Sequence, residues 1–145
     1  MTQEIPDAET IKAFNKTVTD EFRAKDGKVG GQFEGANLLL LTTTGAKSGE
    51  PRLSPLAYFR IDGKLLILGS YAGADFNPAW VHNLRANSAA RVEIGTESSE
   101  VTARELPAAE RDQLFDKIAA AAPGFAEYQA RTTRIIPVFE LQPVA

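Results

Sequence analysis

The run Leu38-Leu39-Leu40-Leu41-Thr42-Thr43 constrains the fold more than any other segment. Continuous apolar and β-branched residues bounded by turn formers predict a strand buried on both faces, so the rest of the chain must cover each side of it. Arg52 to Ile61 reads as a second strand, in which Pro55 marks an edge or a bulge because proline cannot donate to a ladder. Asp62-Gly63 then predicts a two-residue hairpin turn into Lys64–Leu68, since both central positions of that turn want positive φ. Further strands are expected at Ala90–Ile94, Glu100–Glu105 and Ile135–Leu141.

Helices punctuate this pattern. Ile11, Phe14, Val18 and Phe22 form one apolar stripe over Pro6–Ala24, and Leu114, Phe115, Ile118 and Ala122 form another after Pro107. A short helix is expected from Pro78 to Ala86 with Asn77 as its N-cap, and a last helical piece from Pro123 to Ala130. Strands joined by short links, with no regular βαβ alternation, predict a mainly β protein with flanking helices, a small antiparallel barrel of about six strands. The 145 residues suit a single domain, 1–145, with 1–31 an N-terminal helix and a glycine-rich linker around Asp26–Gly31.

Composition removes several kinds of chemistry. The chain has no cysteine, which excludes disulfides, thiolate nucleophiles and cysteine-held metals. His82 is the only histidine, so a site with two imidazole ligands cannot form, and no metal is expected. Net charge is −3, against general affinity for nucleic acid, so any anion site must be local. The N-terminus has no signal-peptide pattern and no run reaches membrane-span length, so a cytoplasmic location is expected. A Ser70–His82–Asp75 triad can be drawn, but no Gly-x-Ser-x-Gly elbow supports a hydrolase.

Two constellations suggest a cofactor cleft. In Gly45-Ala46-Lys47-Ser48-Gly49-Glu50-Pro51-Arg52, Lys47 and Arg52 flank a turn whose glycines let backbone N–H groups point outward, a way to hold a phosphate. The spacing is not that of a P-loop, and an exposed hairpin with solvated cations is the competing reading. Gly69-Ser70-Tyr71-Ala72-Gly73-Ala74, followed by Asn77-Pro78-Ala79-Trp80, offers small residues against which a flat ring could lie. Trp80 as a core anchor on Leu84 is the alternative there, as core packing is for Tyr128 one turn after Phe125.

Taken in order, Gly27-Lys28-Val29-Gly30-Gly31, Leu39–Gly49, Pro51-Arg52, Pro78–Asn87 and Tyr128-Gln129…Arg131-Thr132…Arg134…Ile136-Pro137-Val138 resemble the deazaflavin-dependent nitroreductases of actinobacteria, also described as F-420-dependent quinone reductases. The resemblance runs from about Phe14 to Leu141. It implies a split β-barrel, like the FMN-binding split barrels, that binds coenzyme F-420 and transfers a hydride from its reduced form to a quinone, an activated enone or a nitro compound. Carried over by position, Lys47, Ser48 and Arg52 would bind the phosphate-bearing side chain, with Lys28 and Arg60 as further contacts. Pro55, Ala57 and Tyr58 would line the cleft, while Gly69, Ser70, Tyr71, Ala79, Trp80 and Asn83 would surround the ring. Ser70, Tyr71 or Tyr128 would hydrogen-bond the acceptor oxygen as the catalytic groups.

The alternatives are a non-catalytic deazaflavin carrier and a split-barrel protein that binds FMN. A small-molecule acceptor such as a quinone is the expected partner, in a monomer or weak dimer. The N-terminal stripe is expected either to pack on the barrel or to cover the pocket and touch the inner face of the membrane.

Overall fold

The computed structural model describes residues 8–25, 37–69 and 77–144. Helix α1 (Ala8–Ala24) precedes strands β1 (Leu38–Thr44), β2 (Pro51–Ala57), β3 (Phe59–Ile61) and β4 (Lys64–Leu68). Helix α2 (Ala79–Ala86), strands β5 (Ala89–Ile94) and β6 (Glu97–Glu105), helices α3 (Ala108–Ala121) and α4 (Gly124–Ala130), and strand β7 (Val138–Pro143) follow. All pairings are antiparallel, in the spatial order β2-β1-β5-β6-β7-β4-β3.

That order forces the sheet to curl. β2 and β3 are its two edges, yet only Tyr58 separates Ala57 from Phe59. In a flat sheet those edges would lie roughly 29 Å apart, six spacings of about 4.8 Å, a gap one residue cannot span. The segment expected as one strand is therefore two, bent at Tyr58 so that one half pairs with β1 and the other with β4. Tyr58 N–H donates to Asn37 O at 3.1 Å at the bend. Pro55 lies on edge strand β2 opposite Leu40, as its missing donor requires.

β1 is buried on both faces. Leu39 and Leu41 point into the barrel with Ile67, Val92, Val101 and Phe139, and α2 adds Trp80, Val81 and Leu84 to the same cluster. Leu38 and Leu40 point outward and are covered by Val18 and Phe22 of α1, with Leu53 and Ala57 beside them. The described part of the N-terminal stripe thus packs on the barrel. A third cluster, Leu114, Phe115 and Ile118 of α3 against Leu66, Leu68 and Val138, covers the other outer patch.

At the Asp62-Gly63 turn both residues take positive φ, 55° and 77°, as the hairpin signal demands. Helix α2 departs from expectation at its start: Pro78, not Asn77, is the N-cap, and no side chain caps it. The carboxamide of Asn77 is engaged elsewhere, its Oδ1 accepting from Arg134 Nη1 at 2.9 Å. A charge-assisted bond of this kind outcompetes a neutral cap.

Candidate functional site

The β1–β2 hairpin loop is closed by its own backbone. Gly45 N–H donates to Glu50 O at 2.8 Å, and Gly49, in the left-handed region at φ 72°, donates to Gly45 O at 3.0 Å. The N–H groups of the two glycines themselves therefore turn inward to shape the loop. A Cβ on Gly45 would come within 2.5 Å of Ser48 Oγ and 3.3 Å of Glu50 O, so a side chain there would displace the Ser48 hydroxyl from its place in the loop. Ser48 Oγ accepts from Glu50 N–H at 3.1 Å and from Arg52 Nη2 at 3.3 Å. With both lone pairs engaged, its proton is left to donate outward.

Lys47, Ser48 and Arg52 are all exposed. Neither Lys47 nor Arg52 forms an ion pair with a described carboxylate, whereas Arg23, Arg85, Arg104 and Lys117 each do. The loop so presents two cations without carboxylate partners and a hydroxyl donor together, the donor set of an anion site.

Asn83 fixes this loop from beneath. It is buried at 6% exposure; its Oδ1 accepts from Ala46 N–H at 2.9 Å and its Nδ2 donates to Thr43 Oγ1 at 3.1 Å. Arg52 lies opposite Thr43 in the β1–β2 register and shares the face on which Asn83 sits. The carboxamide expected against a ring thus links α2 to the cation loop.

The other carried-over residues are divided by the structure. Trp80 is buried in the barrel interior, edge-on to Phe139 at 5.7 Å, so its indole is a core anchor. Gly69 is also buried, where a Cβ would lie 2.8 Å from Val81 Cγ2 and 2.9 Å from Pro137 Cγ. Its lack of a side chain makes room for Val81 and Pro137. Ala79 is exposed at the start of α2. Pro55 and Ala57 lie on the α1 side of β2, opposite to Arg52, while Tyr58 packs partly into the interior cluster with the Arg60 guanidinium 5.8 Å from its ring. Ser70 and Tyr71, with Lys28 and Asp75, lie outside the described residues.

Tyr128 is half-buried on α4. Its ring stands edge-on to Phe125 at 5.7 Å, and Phe125 stands edge-on to Phe59 at 5.4 Å, so Phe125 links the Tyr128 ring to β3. Its hydroxyl has no hydrogen-bond partner among the described residues. His82 is exposed, and the described residues hold no cluster of three His, Cys, Asp or Glu side chains.

Sequence reasoning missed Arg111, buried beside α4 with bonds to Gln129 and Ile136. The signal was present: position 111 falls on the stripe of Leu114, Phe115 and Ile118, where a charge is out of place.

An antiparallel barrel closed through one bent strand, plugged by a short helix and carrying an anion-ready loop at its rim, is a split-barrel protein. Its relatives narrow this. The family described as F420H(2)-dependent quinone reductase matches residues 14–143. An F420H(2)-dependent quinone reductase of Mycobacterium tuberculosis is 36% identical over 126 residues, 83% of each chain. A solved F420-H2 dependent reductase (FDR-A) is 39% identical, covers 73% of this chain and 94% of its own, and superimposes with a TM-score of 0.65. A heme storage protein of Vibrio cholerae, 16% identical with a TM-score of 0.57, shares the fold alone. This chain belongs to the F420H(2)-dependent quinone reductase family, and the resemblance read from its motifs is borne out.

Proposed function

We propose that this protein is an oxidoreductase that passes a hydride from reduced coenzyme F-420 to a quinone-type acceptor. The observation that carries the reading is the loop at Lys47, Ser48 and Arg52: exposed, without carboxylate partners, and tied to the barrel through Asn83. On a chain of net charge −3, such a loop fits the phosphodiester of a soluble coenzyme. When bound, the deazaflavin supplies the hydride, and the protein supplies binding, orientation and exclusion of water.

Lys47 and Arg52 would neutralise the phosphate, and the Ser48 hydroxyl would donate a hydrogen bond to it. Ala79 would lie beside the ring and Tyr58 would line the cleft. Trp80, Gly69 and Asn83 act from behind, by packing and by holding the loop, while Pro55 and Ala57 bound the cleft on the α1 side. Tyr128, its hydroxyl uncommitted, hydrogen-bonds the acceptor oxygen together with Ser70 or Tyr71. The protein works in the cytoplasm as a monomer or weak dimer, and reaches membrane quinones by peripheral contact if it uses them.

The test mixes purified protein with reduced F-420 and a soluble quinone and follows the absorbance of the oxidised coenzyme. Acceleration that requires all three components is expected. Lys47→Ala and Arg52→Ala should each weaken coenzyme affinity by about 1–3 kcal/mol, the worth of a charge-assisted bond. If fluorescence titration detects no binding of F-420 to the folded protein, the proposal fails.

A further inference from the structure

Both limbs of the cation loop are tied to one buried pair of side chains. Thr43, near the end of β1, is 2% exposed, and its partner Asn83 on α2 is also buried. Ala46 N–H donates to Asn83 Oδ1 at 2.9 Å, Asn83 Nδ2 donates to Thr43 Oγ1 at 3.1 Å, and Thr43 Oγ1 donates to Arg52 O at 3.5 Å. Ala46 directly precedes Lys47, and Arg52 is the other cation. A column of two side chains thus runs under the loop from one cation-bearing limb to the other.

The ends of the column set its direction. A backbone N–H can only donate and a carbonyl can only accept, so Ala46 draws the oxygen of the Asn83 carboxamide towards itself and Arg52 O takes the Thr43 proton. Asn83 must then donate to Thr43, and the side chain at position 43 must accept and donate at once. A hydroxyl does both, whereas valine, of nearly the same shape, does neither. Thr42 and Thr44 alternate to the opposite face of the strand and take no part. We propose that Thr43 is a positioning residue for the coenzyme site: too deeply buried to touch a ligand, it completes the column that holds the Lys47 and Arg52 limbs at the separation at which both cations meet one phosphate. The binding part rests on the F-420 reading above. The support given by Asn83 reaches Arg52 only through this hydroxyl.

Two substitutions separate the hydroxyl from packing. Thr43→Val keeps the size and the branching and removes the hydroxyl, while Thr43→Ser keeps the hydroxyl and removes the methyl group. Each should lower the thermal midpoint by a few degrees, so stability does not tell them apart. Thr43→Val should weaken F-420 binding about tenfold in a fluorescence titration and speed amide hydrogen exchange at Ala46 about tenfold, whereas Thr43→Ser should keep both within about threefold of wild type. Thr43→Ala, which also lacks the hydroxyl, takes the place of Thr43→Val if that variant does not fold. Unchanged Ala46 exchange in a folded variant without the hydroxyl overturns the column. Faster exchange with unchanged affinity overturns the role in coenzyme binding, and so do equal losses of affinity in Thr43→Val and Thr43→Ser, which would follow packing instead. A wild-type protein that does not bind F-420 strikes the coenzyme reading, and Ala46 exchange then decides the column by itself.

Discussion

Trp80 and Asn83 sit one turn apart on α2, and their neighbours give them different duties. Trp80 at 5% exposure contacts Phe139, Val81 and Leu84 within the barrel, so Trp80→Ala removes a large core volume. The expected cost is about 3–5 kcal/mol of stability, read from urea denaturation. Asn83→Ala removes little volume but strands the Ala46 N–H and takes from the Thr43 hydroxyl the donor it accepts from, leaving it only its bond to Arg52 O. It should cost about 1–3 kcal/mol and also weaken F-420 binding, because the loop that carries Lys47 loses its support. A double-mutant cycle with Lys47→Ala checks the route: coupling between the sites is expected if Asn83 acts through the loop, and additivity if it touches the coenzyme on its own. A residue's spacing placed both side chains on one helix face, but only their neighbours distinguish core from support.

At the scale of elements, ion pairs lace the outer surface. Arg104 of β6 bonds both Glu110 of α3 and Glu140 of β7, joining three elements at one guanidinium. The hydrogen bond from Arg104, followed by its charge and that of Lys64, holds the Glu110 carboxyl below its ordinary range. A carboxylate with a lowered folded pKa stabilises the native state above its unfolded pKa, and the contribution disappears as pH falls through the folded value. Wild type should therefore exceed Glu110→Gln in denaturation midpoint at neutral pH, and the two curves should converge in acid below the usual glutamate range. The helices α3 and α4 and the strand periodicity were legible in the sequence, because they depend on local pattern. The bend at Tyr58 was not, since an extended run looks the same whether it keeps one partner strand or exchanges it for another.

For the whole molecule, charge is unevenly distributed. The chain is net acidic, yet Lys47 and Arg52 stand exposed without carboxylate partners. Coenzyme affinity should then fall as salt is raised from low to physiological ionic strength, where the screening length shrinks to about 8 Å. The thermal midpoint should move far less, because stability rests on three apolar clusters rather than on the exposed ion pairs. Equal salt dependence of both quantities would contradict this division.

By itself the sequence determined what depends on near neighbours: a first strand buried on both faces, a turn at Asp62-Gly63, amphipathic α3, a glycine-bounded loop with two cations, and motifs sufficient to indicate the family. Tertiary structure alone decided what depends on residues far apart in the chain. It joined the two sheet edges at Tyr58, gave the Asn77 carboxamide to Arg134, set Asn83 beneath the cation loop, and set Arg111 against Gln129 and Ile136. Hydrogen-bonding groups take whichever partner the closed barrel brings within reach, and that choice follows from closure rather than from local sequence.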